Sequence, residues 1–151
     1  MTAAPATDAV AAAALARLVA FYQSLTLDTV AGVPALYAAG ASFKDPFNEV
    51  RGHAAIMRLF EHMFVQVDGP RFVVLTSIGQ GNQAFLTWEF RFHMRRLVRG
   101  EQVVRGATHV CFDADGLVVM HRDYWDAAEE LYEKLPLLGG LMRLLKRATN
   151  H

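Results

Sequence analysis

The chain has 151 residues, 53% hydrophobic and 11% aromatic, with fifteen Lys and Arg balanced by fifteen Asp and Glu. That apolar share suffices for one core in a single domain, 1–151, and excludes a disordered chain. Zero net charge excludes a protein built mainly to grip phosphate backbones or anionic lipid, and with Cys111 the one cysteine there is no internal disulfide and no Cys-based zinc site, so a reducing, cytoplasmic setting is expected.

The Ala-rich start, Ala9 to Ala20, is preceded by no Lys or Arg and contains Arg17, so it reads as a helix and not as a signal peptide. Asp8 is the expected N-cap, with Val10, Ala14, Leu15, Leu18, Val19 and Tyr22 at helical spacing. A shorter helix follows, capped by Asp28, with Val30, Val33, Leu36 and Tyr37 on its apolar face, ending at Gly40. Ala41 to Phe47 reads as a brief strand running into a turn, because Pro46 biases Asp45 away from helical geometry. From His53 to Val67 the spacing of Ile56, Leu59, Phe60, Met63, Phe64 and Val67 predicts an amphipathic helix, with Arg58, Glu61, His62 and Gln66 opposite.

Beyond Gly69-Pro70 the period changes to two, which predicts strands at Arg71 to Ile78, Ala84 to Val98, Gln102 to Phe112 and Leu117 to Trp125. Loops at Gly79 to Asn82, Arg99-Gly100 and Asp115-Gly116 are too short for crossover helices, so an antiparallel sheet in an α+β domain is expected. Asp126 onward reads as helical again, broken at Pro136 and Gly139-Gly140. Its last part has a leucine face and an Arg143, Lys146, Arg147 face, which suits a closing helix over the core or a membrane-surface or partner-binding helix.

In the long strand Ala84, Leu86, Trp88, Phe90, Phe92 and Met94 can face a core, while the alternate residues cannot. The last strand is ambiguous. His121, Asp123 and Trp125 share one face with Val119, and Val118, Met120, Arg122 and Tyr124 share the other, so periodicity leaves the burial of His121 and Asp123 open.

This order of elements resembles the cone-shaped nuclear transport factor 2-like fold, a curved antiparallel sheet wrapped by N-terminal helices with a C-terminal helix. "FKDPF" at Phe43 to Phe47, followed by Gly52, is similar to the region of ketosteroid isomerases that carries the catalytic aspartate. "HRDYWD" at His121 to Asp126 with "LPLLGG" at Leu135 to Gly140 is similar to the end of limonene epoxide hydrolases, and SnoaL-like polyketide cyclases share the fold. The isomerase resemblance implies Asp45 as general base with Tyr37 as a supporting tyrosine. The positions matching the isomerases' oxyanion tyrosine, a further network tyrosine and the oxyanion acid are Phe21, Phe60 and Thr108, with Tyr22 one residue out of register. The hydrolase resemblance implies Asp123 as the last-strand acid, and both resemblances place His121, Asp123 and Trp125 on a pocket.

Asp45, Asp123 and His121 are therefore the candidate catalytic residues of one apolar cavity. Tyr22, Tyr37, Phe60, Trp88, Phe90, Phe92, Thr108, Val110 and Trp125 are the candidate substrate contacts, with Met94 and Phe112 as further apolar walls. Each candidate acid has a second reading, Asp45 as a turn residue bonding backbone amides and Asp123 as a satisfied buried polar group. His121-x-Asp123 has the spacing of two metal ligands, but His93 and His109 fall on the outward parity, so no metal is expected. Cys111 shares that parity and has no base beside it.

The outward face, with Glu89, Arg91, His93, Arg95, Arg105 and His109, reads as a mixed polar surface or a subunit contact. Nucleic acid is not expected there for want of exposed aromatics. The expected partner is a small hydrophobic molecule, with no cofactor, no membrane and a homodimer. Function stays open between an acid–base enzyme of isomerase, cyclase or epoxide hydrolase type and a non-catalytic hydrophobic ligand-binding module.

Overall fold

The computed structural model describes residues 4–94 and 99–132. Helix α1 runs Asp8–Gln23 and buries Ala11, Ala14, Leu18 and Tyr22, a stripe at helical spacing. Its N-cap is Thr7, not Asp8: Thr7 is extended and its side chain accepts from the Val10 amide, which leaves Asp8 in the first turn, near the positive end of the helix dipole. The second helical segment splits into a 3-10 stretch, Leu27–Gly32, and a single α-turn, α2, Val33–Leu36. Its cap is Thr26, which exchanges hydrogen bonds with Thr29, rather than Asp28. The helix stops at Leu36, so Gly40 lies inside the following strand.

Strand β1 spans Tyr37–Lys44 and pairs antiparallel with the short β2, Glu49–Arg51, across the Asp45-Pro46 turn. Helix α3, His53–Gln66, starts after Gly52, whose φ of 91° lies in a region that only glycine enters freely. Strands β3 (Asp68–Gln80), β4 (Gln83–His93), β5 (Glu101–Phe112) and β6 (Val118–Tyr124) form the expected antiparallel meander.

The whole sheet is nevertheless mixed. Its order is β2-β1-β6-β5-β4-β3, and β1 runs parallel to β6. Short loops dictate antiparallel pairing only between consecutive strands; β1 and β6 are joined through most of the chain, so their direction was free. The sheet is curved and unclosed, with α1 against β3 and β4 and with α3 against β1 and β3.

A register shift resolves the ambiguity of the last strand. Phe112 pairs with Val118, but Cys111 pairs with Met120, so one extra residue, Val119, is inserted into β6. Val118 faces inward before the bulge, and the parity then flips to bring His121 and Asp123 inward opposite Val110 and Thr108. In β4 the alternation holds as read: Ala84, Leu86, Trp88 and Phe92 are buried.

The outward face differs from expectation in one respect, because Phe85 is 50% exposed and stacks on His109, so that face does carry an aromatic. Glu89 and Glu101 pair with Arg91 on it. The end of the expected long strand, 95–98, and the leucine and basic faces after Pro136 lie outside the described residues. Before them, Asp126 caps a π-helical turn, Ala128–Tyr132. No helix among the described residues is long and apolar enough to cross a membrane.

Candidate active site

Asp45 follows β1 directly, and Pro46 holds the chain in a turn in which the Asp45 amide donates to the Asn48 carbonyl at 2.9 Å. The carboxylate folds back over that turn. Its Oδ1 accepts from the amides of Phe47 at 2.8 Å and Asn48 at 2.7 Å, and Asn48 Nδ2 donates to both Oδ1 and Oδ2 at 3.0 Å. Burial pushes the Asp45 carboxyl above its ordinary value, the bonds from Asn48 and Phe47 oppose that rise, and the charge of Asp123 adds to it.

Asp123 is held differently, by side chains alone. Thr108 Oγ1 donates to its Oδ1 at 2.6 Å, and His121 Nε2 lies 2.7 Å from the same oxygen. Trp88 Nε1 donates to Thr108 Oγ1 at 2.8 Å. Trp88 sits opposite Gly106 in the register, and a Cβ at Gly106 would lie 2.5 Å from the indole ring, so glycine is what lets the indole lie across β5 and reach Thr108.

Behind His121, its Nδ1 is 2.9 Å from the Tyr37 hydroxyl and 3.4 Å from that of Tyr22, and the two hydroxyls are 2.5 Å apart. Burial raises the Tyr22 and Tyr37 hydroxyls above the ordinary tyrosine value, so both remain protonated. Asp123 Oδ2 takes no hydrogen bond among the described residues. None of their buried side-chain oxygens or nitrogens lacks a partner, so Oδ2 is one that solvent or a ligand reaches.

Both acids line one cavity of about 200 Å³. Its walls are mainly apolar: Phe72, Phe90 and Phe92 form a run of stacked rings, Trp88 meets Phe72 edge-on, and Phe47 meets Trp125 edge-on. That is below the roughly 300–1,000 Å³ of sites for drug-sized ligands, so the space suits a small ring compound.

The sequence model of the SnoaL-like domain matches residues 18–121. The chain belongs to the SnoaL-like domain family. No curated protein matches the chain, whereas solved structures show its fold. A hypothetical protein with a ketosteroid isomerase-like fold from Catenulispora acidiphila, in complex with trimethylamine, is 13% identical, with 82% of this chain and 93% of that one covered at a TM-score of 0.68. An epoxide hydrolase of the limonene-epoxide-hydrolase-like type from M. tuberculosis is 20% identical over 91% of this chain and 96% of that one, with a TM-score of 0.65. A candidate isomerase of the SnoaL-like family from Agrobacterium tumefaciens is 19% identical over 78% and 98%, with a TM-score of 0.62.

In this SnoaL-like domain, Phe60, Trp88, Phe90, Phe92 and Trp125 stand on the cavity wall with Asp45 and Asp123, and so does Met94. Tyr22, Tyr37 and Thr108, expected as substrate contacts, and His121, expected as a catalytic residue, are not on that wall; they stand behind it in the hydrogen-bond network of Asp123. Val110 and Phe112 belong to the core and not to the cavity, each at most 1% exposed.

The sequence reading took Phe60 from α3 but missed the rest of that helix's contribution. Its supposedly outward residues His62 and Gln66 line the cavity with Leu59 and Met63. Their spacing, i, i+3, i+4 and i+7 from Leu59, was the available signal. Asn48, which binds Asp45 and lines the cavity, had no sequence signal beyond lying in its turn.

Proposed function

We propose that this SnoaL-like domain is an acid–base enzyme that needs no cofactor and moves protons on a small apolar, ring-bearing substrate, as isomerases and cyclases do. Asp123 is its base and Asp45 its acid. One observation carries this reading: two carboxyl groups line the same apolar cavity, one with an oxygen that takes no bond from the described residues and the other with its proton affinity raised by burial.

Asp123 Oδ2 takes a proton from the carbon beside a carbonyl, the C–H bond breaks, and the electron pair moves onto the carbonyl oxygen. A protonated Asp45 donates to that oxygen as charge develops. Return of the proton from Asp123 to a different carbon completes an isomerisation. Phe21 at the isomerases' oxyanion position supplies no donor, and in this reading Asp45 takes that task.

Epoxide hydrolysis is the second reading, because the same pair serves it: Asp123 takes a proton from a water whose oxygen bonds to a ring carbon, and the C–O bond of that carbon breaks as Asp45 protonates the departing ring oxygen, which leaves a diol. The four bonds that Asn48 and Phe47 donate to Asp45 favour the remaining alternative, a binding module in which Asp45 only shapes a turn.

The test is to incubate the protein with cyclohex-3-enone in D2O and with cyclohexene oxide in H2(18)O. Formation of the conjugated product, with any deuterium taken from solvent at its γ carbon, supports the isomerase type, and 18O in a diol supports the hydrolase. Binding of both without turnover overturns the enzyme reading.

A further inference from the structure

We infer that Tyr22, Tyr37 and His121 form a one-way hydrogen-bond relay that holds His121 as the neutral tautomer with its proton on Nε2, directed at Asp123. The inference deepens the proposed function and rests on Asp123 being the base.

Proton accounting sets the direction at both ends. The indole N–H of Trp88 can only donate, so Thr108 Oγ1 accepts it and spends its own proton on Asp123 Oδ1. On the other side three atoms meet: the Tyr22 and Tyr37 hydroxyls and His121 Nδ1. Two hydroxyl protons satisfy this set when Tyr22 donates to Tyr37 and Tyr37 donates to Nδ1. Nδ1 is then an acceptor, and the imidazole proton lies on Nε2, 2.7 Å from Asp123 Oδ1.

The reverse arrangement fails. A proton on Nδ1 would have to donate to Tyr37, which would turn its own proton to Tyr22, and the Tyr22 proton would have no acceptor among the described residues. Tyr22 is enclosed by the rings of Phe21, Phe60 and Phe72, and an unpaired buried donor is costly.

The groups facing His121 are Asp123, the two tyrosines and the ring of Phe43, stacked at 4.4 Å, and the histidine is 2% exposed. Every donor in the chain from Trp88 and from Tyr22 therefore converges on one oxygen of Asp123. That fixes the carboxylate plane and leaves Oδ2 as the atom that accepts a proton. His121 and Tyr37 are positioning residues.

Two measurements test the relay. In the 15N-labelled protein, the His121 ring nitrogens, assigned through correlations to its backbone, are expected to show a protonated Nε2 and an unprotonated Nδ1 near neutral pH. A proton on Nδ1, alone or as the imidazolium, overturns the relay, and this readout needs no substrate.

For whichever probe is turned over, Tyr37→Phe is expected to lower kcat by about tenfold with KM changed less than about twofold. His121→Gln keeps a donor toward Asp123 and is expected to retain about tenfold more kcat than His121→Leu. Equal loss in both variants overturns the positioning role. If Asp123→Asn keeps full turnover while the Nε2 proton is found, the relay stands and the base assignment falls.

Discussion

Asp45 and Asp123 line the same cavity, yet Asp45 spends both carboxyl oxygens on the Asn48 side chain and the amides of its turn, while Asp123 gathers its partners on Oδ1. The difference comes from where each sits. Asp45 follows a strand end, where backbone amides turn toward it; Asp123 lies within a strand, whose amides are spent on the ladder, so only side chains reach it.

Asp123→Asn should leave folding and ligand uptake nearly intact, since an amide oxygen still accepts from Thr108 and His121. Turnover should fall by about 10²- to 10⁴-fold, the usual contribution of a general base. Steady-state kinetics beside a thermal melt check this, and unchanged kcat removes Asp123 from the mechanism.

Asp45 sets a pH dependence whose sign follows from its raised carboxyl. A group protonated more readily in the fold than in the unfolded chain stabilises the fold below its ordinary value of 3.8 and loses that contribution as pH rises through the folded value. As an acid it should give the rate profile a falling limb over the same range. Asp45→Asn should abolish that limb; a limb that persists in the variant assigns it to another group.

Gly106→Ala places a methyl 2.5 Å from the Trp88 ring, so the indole must move or the strands must part. Overpacking of this kind costs about 1–3 kcal/mol. The Trp88 bond to Thr108 should go with it, which a melt and a red shift of tryptophan emission would show; wild-type values for both would mean that the indole does not need that space.

Trp88 and Trp125 are the only tryptophans of the chain, and both line the cavity. A one-ring apolar ligand such as cyclohexanone should therefore change intrinsic emission saturably, and Phe90→Trp, which fills the cavity, should weaken that binding about tenfold or more. Binding that leaves emission untouched would place the ligand elsewhere.

Local rules settled much of this molecule. The 3.6-residue period of Ile56 to Val67, the alternation of Ala84 to Phe92 and the Asp45-Pro46 turn each depend on neighbours a few residues away, and so each is legible in the string of residues. Even the inward set of β4 follows from period two. Three decisive features depend on residues distant in the chain. The parallel pairing of β1 with β6 needs a partner about 80 residues away, where no turn constrains direction. The Val119 bulge, which turns His121 and Asp123 inward, arises because β6 must match β5 on both sides of it. The convergence of Trp88, Thr108, His121, Tyr37 and Tyr22 on one carboxylate joins a helix and four strands, and only the tertiary fold brings such donors within 3 Å, because hydrogen bonds act at distances that sequence spacing does not encode.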